Sequence, residues 1–179
     1  VAYNGMRHFL FVLPPLSVLG AYALNRLFEL LPRMLRASYG LALVACALWQ
    51  VQIVSDLFPN EYVYYNSFVG GPAGAAERYE LDYWGMSLQE ATERFVQTLQ
   101  SAGAQPLPSD PPLYVYVCGN VWSASVFFPS WLRPVPRIEA ADYQIAIQDF
   151  FCESPPGSQR VLEVKRADTV LSYVDSLRP

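Results

Sequence analysis

Two long runs without charge, joined by a bend that carries arginines, constrain this chain more than any other feature. From Phe9 to Leu24, FLFVLPPLSVLGAYAL, no residue is charged. At ~1.5 Å per residue the run covers roughly 24 Å of a hydrocarbon core about 30 Å thick. Asn25 and Arg26 interrupt it, but Leu27, Phe28, Leu30 and Leu31 let a tilted helix continue to about Leu31, with Arg26 snorkelling towards headgroups. Pro14 and Pro15 remove two backbone donors, so the helix starts late or kinks there. A core helix of a soluble domain is the competing reading, and it suits shorter runs. The second run, Ser38 to Leu57, has Asp56 as its single charge and is long enough to span a bilayer. Gln50 and Gln52 in its outer half require a protein neighbour or the interface, because an unpaired amide in lipid is costly.

Arg33 and Arg36, with Arg26 close by, sit at a short connection containing Pro32. The positive-inside tendency puts that connection in the cytoplasm and both flanking ends outside. Charge divides the chain in the same place. Residues 1–57 hold four arginines against Glu29 and Asp56, a net +2, whereas residues 58–179 hold eight Lys or Arg against fourteen Asp or Glu, a net −6. An acidic outer part excludes nucleic acid as a partner, since displacing counterions from phosphates needs a cationic face. The chain opens at Val1 without the basic, apolar and small-residue order of a signal peptide, which reads as the continuation of something longer or as a processed chain.

Beyond the apolar runs, SLQEATERFVQTLQSAG (Ser87 to Gly103) predicts a helix, with Ser87 as N-cap and Glu90 completing a capping box. Leu88, Ala91, Phe95, Val96 and Leu99 form its apolar face. LYVYVC (Leu113 to Cys118) reads as a buried strand, Asn120 to Phe128 as a short helix and Tyr143 to Ile147 as a second strand. Arg160 to Lys165 and Thr169 to Val174 read as a closing pair around Ala167 and Asp168. Pro129 to Pro136 and Pro155 to Gly157 are expected as turns. The fold expected is therefore α/β: a two-helix transmembrane hairpin over 1–57, an interfacial hinge over 58–86 and an extracytoplasmic α/β domain over 87–179.

The hinge, from Pro59 to Gly85, contains Tyr62, Tyr64, Tyr65 and Trp84, residue types favoured where lipid meets water. RHFLFVLPPL (Arg7 to Leu16), a second apolar segment, EYVYYNSFVGGPAGAAERYELDYWG and SLQEA together resemble the C-terminal region of bacterial polytopic glycosyltransferases related to the dolichyl-phosphate-mannose–protein mannosyltransferases. The resemblance covers roughly residues 3–95 and, loosely, the α/β tail. It implies a many-helix enzyme that takes a sugar from a polyprenyl-phosphate lipid on the outer side of the cytoplasmic (inner) membrane of a bacterium. In that family the catalytic carboxylate lies in the first extracytoplasmic loop, far N-terminal of these residues, so no catalytic residue carries over. The family often has His-Pro before the tyrosine-rich stretch, where this chain has Phe58 and Pro59.

Several side-chain groups invite a chemical reading. Glu77, Glu80 and Asp82 are the densest carboxylates, suited to metal-assisted or acid–base work if they converge, or to a solvated turn if they do not. Gly70, Gly71 and Gly74 lack the Lys-Ser/Thr ending of a phosphate loop and read as a tight turn. Arg7 and His8 lie where they can meet a lipid phosphate or simply anchor at the interface. A single histidine leaves no His-rich metal site and no Ser-His-Asp triad. Cys118 and Cys152 are either a disulfide or two separate buried thiols, while Cys46 reads as a small apolar side chain. No cofactor is expected. The leading expectation is a non-catalytic, membrane-anchored accessory or structural subunit, whose partners are membrane lipids and other transmembrane helices of a larger complex, such as a respiratory or photosynthetic one. The alternative is the C-terminal part of an intact glycosyltransferase that uses a polyprenyl-phosphate sugar.

Overall fold

The computed structural model describes residues 10–76, 78–104, 106–107, 110–149 and 151–178. It divides into two compact units, 1–52 and 53–179. In the first, helix α1 runs Leu13–Leu30 with Pro14 and Pro15 in its opening turn, the late start that their missing N–H groups favour. It stops where Leu31 turns extended ahead of Pro32. Helix α2 runs Arg33–Asp56, starting five residues earlier than the charge pattern predicts. Arg33 and Arg36 are therefore helical, and the connection shrinks to Leu31 and Pro32. Cations in a first turn oppose the helix dipole. Arg36 offsets this by donating to the carbonyls of Glu29 and Leu31 (3.0 and 3.2 Å), which end α1 without helical partners. Tyr39 donates to the Leu24 carbonyl at 3.0 Å, and its ring lies 6.2 Å from Phe28. Neither helix buries a residue, and both are long and apolar enough to cross a membrane.

The second unit holds a five-stranded mixed sheet in the order β2-β1-β3-β5-β4. The strands are β1 (Leu113–Cys118), β2 (Leu132–Val135), β3 (Tyr143–Ile147), β4 (Gln159–Arg166) and β5 (Thr169–Ser176). β1 pairs in parallel with β2 and β3, while β5 runs antiparallel to β3 and β4. β2 corrects the expected turn over 129–136. Its four residues include Pro134, a residue that argues against a strand unless the strand is an edge, and β2 is one. The β4–β5 hairpin turns at Ala167 and Asp168, both with positive φ, as a two-residue connection requires.

Helix α4 (Ser87–Ser101) lays Leu88, Ala91, Phe95 and Leu99 on one face of the sheet, against Val115, Val117, Ile145, Val164 and Val174. The expected apolar face is the observed one, with Thr92 buried beside it. Helix α5 (Val121–Ser125) connects β1 to β2 and is capped by the Asn120 side chain, which accepts from the Trp122 N–H. On the sheet's other face, Leu171 packs with Leu57, Val63, Ala75 and Leu81. The stretch 58–86 is thus a folded wall of the domain.

The corner of that wall is glycine by necessity. Gly70 adopts a left-handed φ of 84° and caps the five-residue helix α3 (Gly71–Ala75). A Cβ on Gly74 would lie 2.0 Å from the Val69 carbonyl oxygen, a backbone atom. Cys118 and Cys152 are bonded, with Cα atoms 5.6 Å apart, and close a loop of sequence separation 34 over Ala146 and Tyr173.

Gly74→Ala is expected to destabilise the folded chain by about 1 to 3 kcal/mol, the usual cost of overpacking. Thermal unfolding in detergent, followed by near-ultraviolet dichroism, checks it, and an unchanged midpoint would contradict the packing described. Reducing the disulfide is expected to cost roughly 3 to 4 kcal/mol on the chain-entropy account of a loop this long. Chemical unfolding with and without reductant measures the loss, and coincident curves would remove it.

Candidate functional site

Of the residues that carry the chemical readings, Gly70, Gly71, Gly74, Glu80 and Asp82 lie in the wall. Asp82 is 2% exposed, and its carboxylate collects four donors. One oxygen accepts from the Tyr62 hydroxyl and from the Met86 N–H at 3.0 Å. The other accepts from the Ser87 N–H at 3.0 Å and the Ser87 hydroxyl at 2.5 Å. Asp82 therefore satisfies the free N–H groups that open α4, where a negative charge is also favoured by the helix dipole. This corrects the expected capping box. Ser87 is the first helical residue and a donor to Asp82, while Glu90 turns outward to pair with Arg94 at 2.5 Å and with Arg166 of β4.

Glu80 and Asp82 do not share one acidic site. Glu80 is exposed and contributes its backbone carbonyl to the Tyr65 hydroxyl at 3.1 Å, while Tyr65 stacks on Tyr79 at 5.7 Å. Glu77 lies outside the described residues, as do Arg7 and His8. Among the described residues no three His, Cys, Asp or Glu side chains stand close enough to hold a metal ion.

In open α/β sheets ligands bind beyond the carboxyl ends of the parallel strands, where the strand order reverses. Here β1 is that strand, with β2 on one side and β3 on the other. The place is filled by the chain itself. Gly119 follows β1 with φ 129°, and a Cβ there would meet Leu88 at 3.3 Å and Ile147 at 3.5 Å. Gly85 stands as close, its hypothetical Cβ 3.0 Å from Leu88 and 3.8 Å from Asn120. The Ser123 hydroxyl of α5 donates to the Trp84 carbonyl at 3.3 Å and draws the two segments together.

A cleft of about 330 Å³ opens beside this edge, lined by Tyr79, Gln148, Asp149, Glu153, Arg160 and Tyr173 among others. Its one guanidinium is already engaged. Arg160 bonds the buried Asp175 at 2.5 Å, Glu163 at 2.9 Å and Ser154 at 3.1 Å, and lies 3.8 Å above the Tyr173 ring. Hydrogen bonding to Lys165, reinforced by the charges of Lys165 and Arg160, holds the Glu163 carboxyl below the usual range. Burial pushes the Tyr173 phenol up, and its hydroxyl donates to the Cys152 carbonyl. These groups brace the disulfide loop against β4 and β5, and a phosphate or sulfate entering the cleft would have to displace an ion pair.

The same edge carries an uncharged aromatic surface that the motif reading reached only at Trp84. Tyr83 and Trp84 meet edge to face at 5.1 Å, and Trp84 is 57% exposed. On α5 Trp122 is 72% exposed, and Val126, which ends the helix one turn on, 65%. Asn120 to Phe128 is expected as a short helix, and the signal for its exposed face is the absence of any Asp, Glu, Lys or Arg from residue 111 to 132. Comparison with family models, curated proteins and solved structures returns no match.

Asp82→Ala would leave four donors without their acceptor and is expected to cost about 3 kcal/mol. Asp82→Asn, which keeps one acceptor oxygen, is expected to lose less, and equal stability of Asp82→Ala and wild type would contradict the network. Burial, and then the hydrogen bond to Asp82, raise the Tyr62 pKa well above its ordinary 10.0. A folded state that holds this proton more tightly is stabilised below that ordinary value and loses the advantage as pH climbs through the folded one. Stability should therefore fall more between about pH 9 and pH 11 in wild type than in Tyr62→Phe. Unfolding free energies at both pH values decide it, and parallel losses would refute the role of Tyr62.

Proposed function

We propose that this chain is a non-catalytic, membrane-anchored module of a larger membrane assembly, with α1 and α2 as a transmembrane hairpin and the sheet as its extracytoplasmic domain. The observation that carries the reading is that neither apolar helix buries a residue within the chain, while α2 passes directly into a folded wall. Apolar helices that bury no residue within the chain call for other helices and for lipid as neighbours. The Tyr39 and Arg36 contacts to the end of α1 support the hairpin. Arg33 and Arg36 at the bend support a cytoplasmic bend in a bacterial inner membrane, and the Cys118–Cys152 bond supports an oxidising, periplasmic side for the domain.

The setting favoured is the C-terminal part of a polyprenyl-phosphate-sugar-dependent glycosyltransferase. The residues that carry that resemblance, from Tyr62 through Gly74 to Asp82, are those that build the wall. The second reading, a separate accessory subunit of a respiratory or photosynthetic complex, follows from the same bare helices.

Intact-mass measurement of the protein isolated from its native membranes separates these readings. A species several-fold heavier than the 20.1 kDa of these residues supports the glycosyltransferase setting. A species near that mass, held by other membrane proteins, supports the accessory subunit. A lone species near that mass, without membrane partners, would overturn both.

A further inference from the structure

We propose that the face made by Trp84, Trp122 and Val126 rests in the headgroup region of the bilayer, so that the domain is held against lipid at a second place besides the end of α2. The proposal rests on the reading of α1 and α2 as membrane spans. The domain's own topology brings the two places to one edge. Leu57, the residue after α2, is buried with Leu171. The Leu171 carbonyl accepts from the Gln148 N–H, just past the carboxyl end of β3. Helix α5 starts from the carboxyl end of β1, which pairs in parallel with β3 through Cys118 and Ala146. The chain therefore leaves α2 at the sheet edge that displays Trp122.

Chemistry selects lipid as the occupant. A net charge of −6 marks the outer residues, yet no charged side chain occurs in residues 83–89 or 111–132, which build this face. Trp and Tyr, with an apolar ring and a polar atom, are the side chains that settle at the lipid–water boundary. Ser123 ties α5 to the Trp84 carbonyl, so the two tryptophans are carried on a single fixed support. Further exposed rings extend the apolar character of the wall, Phe58 at 70% and Phe68 at 100%. A protein partner is the competing occupant, and it becomes an outcome of the test.

The full chain is reconstituted into phosphatidylcholine vesicles whose lipids are brominated either near the headgroup or near the acyl-chain end. Four tryptophans are present, Trp49, Trp84, Trp122 and Trp131. One variant keeps Trp122 alone and another keeps Trp49 alone, the rest being replaced by Phe. Trp122 is expected to lose most of its emission with shallow bromine and little with deep bromine, and to resist aqueous acrylamide. Trp49, inside α2, is expected to be quenched by lipid in either case. Quenching of Trp49 together with an acrylamide-accessible Trp122 that bromine does not touch would overturn the inference, leave the spans standing and point to a protein occupant. Failure of both to respond to lipid would overturn the spans as well. A second measurement leaves the tryptophans in place: a nitroxide on Val126→Cys, with Cys46→Ala, should be more accessible to oxygen than to a water-soluble nickel chelate, and the reverse order would also overturn the inference.

Discussion

The buried carboxylate of Asp82 is the contact on which the shape of the domain depends. A negative charge out of water is costly unless it is surrounded by donors, and four donors from three residues converge on this one. Those donors come from the wall, through Tyr62, and from the opening of α4, through Met86 and Ser87. The bond set joins the wall to the helix that covers the sheet. Leu57 and Leu81 then have a fixed apolar surface at Leu171 to pack on. The Ser172 hydroxyl adds a link from β5 to the Ser87 carbonyl at 3.2 Å.

That arrangement also explains why the edge of the sheet that usually holds a ligand is closed. The parallel strands β1 and β3 end under Gly119, Gly85 and Leu88, where a Cβ would crowd the Leu88 side chain and both glycines hold a positive φ, 129° and 63°. Polar groups nearby are spent on structure, since Arg160 is shared among Asp175, Glu163 and Ser154. Beside the cleft lies the exposed aromatic surface of Trp84 and Trp122, in segments without a charged residue. Such a surface suits contact with an apolar environment better than turnover of a polar substrate.

Much of the architecture was legible because its elements follow simple periodicities. Two apolar runs gave α1 and α2, and the 3.6-residue spacing of Leu88, Ala91, Phe95 and Leu99 gave the face of α4. Boundaries were harder, since Arg33 and Arg36 look like loop residues until Arg36 is seen capping the end of α1. β2 was hidden by Pro134, whose missing N–H matters little on an edge. The cap of α4 was misassigned because Ser87 and Glu90 have capping-box spacing, whereas the carboxylate that serves the helix sits outside it in sequence. At the site, the carboxylates were visible as a group, but their division into a buried brace at Asp82 and an exposed side chain at Glu80 depends on packing at Tyr62. The cysteine pair was open from sequence and is a bond in the folded domain.

Hydrogen exchange of the chain in lipid nanodiscs tests most directly whether the wall is a folded part of the domain. The Met86 and Ser87 amides, and the bonded amides of residues 57–76, should exchange through the same opening that releases the strands β1 and β3. Fast exchange across 57–87 while β3 stays protected would show a loose tether between helix and sheet, and would contradict the account.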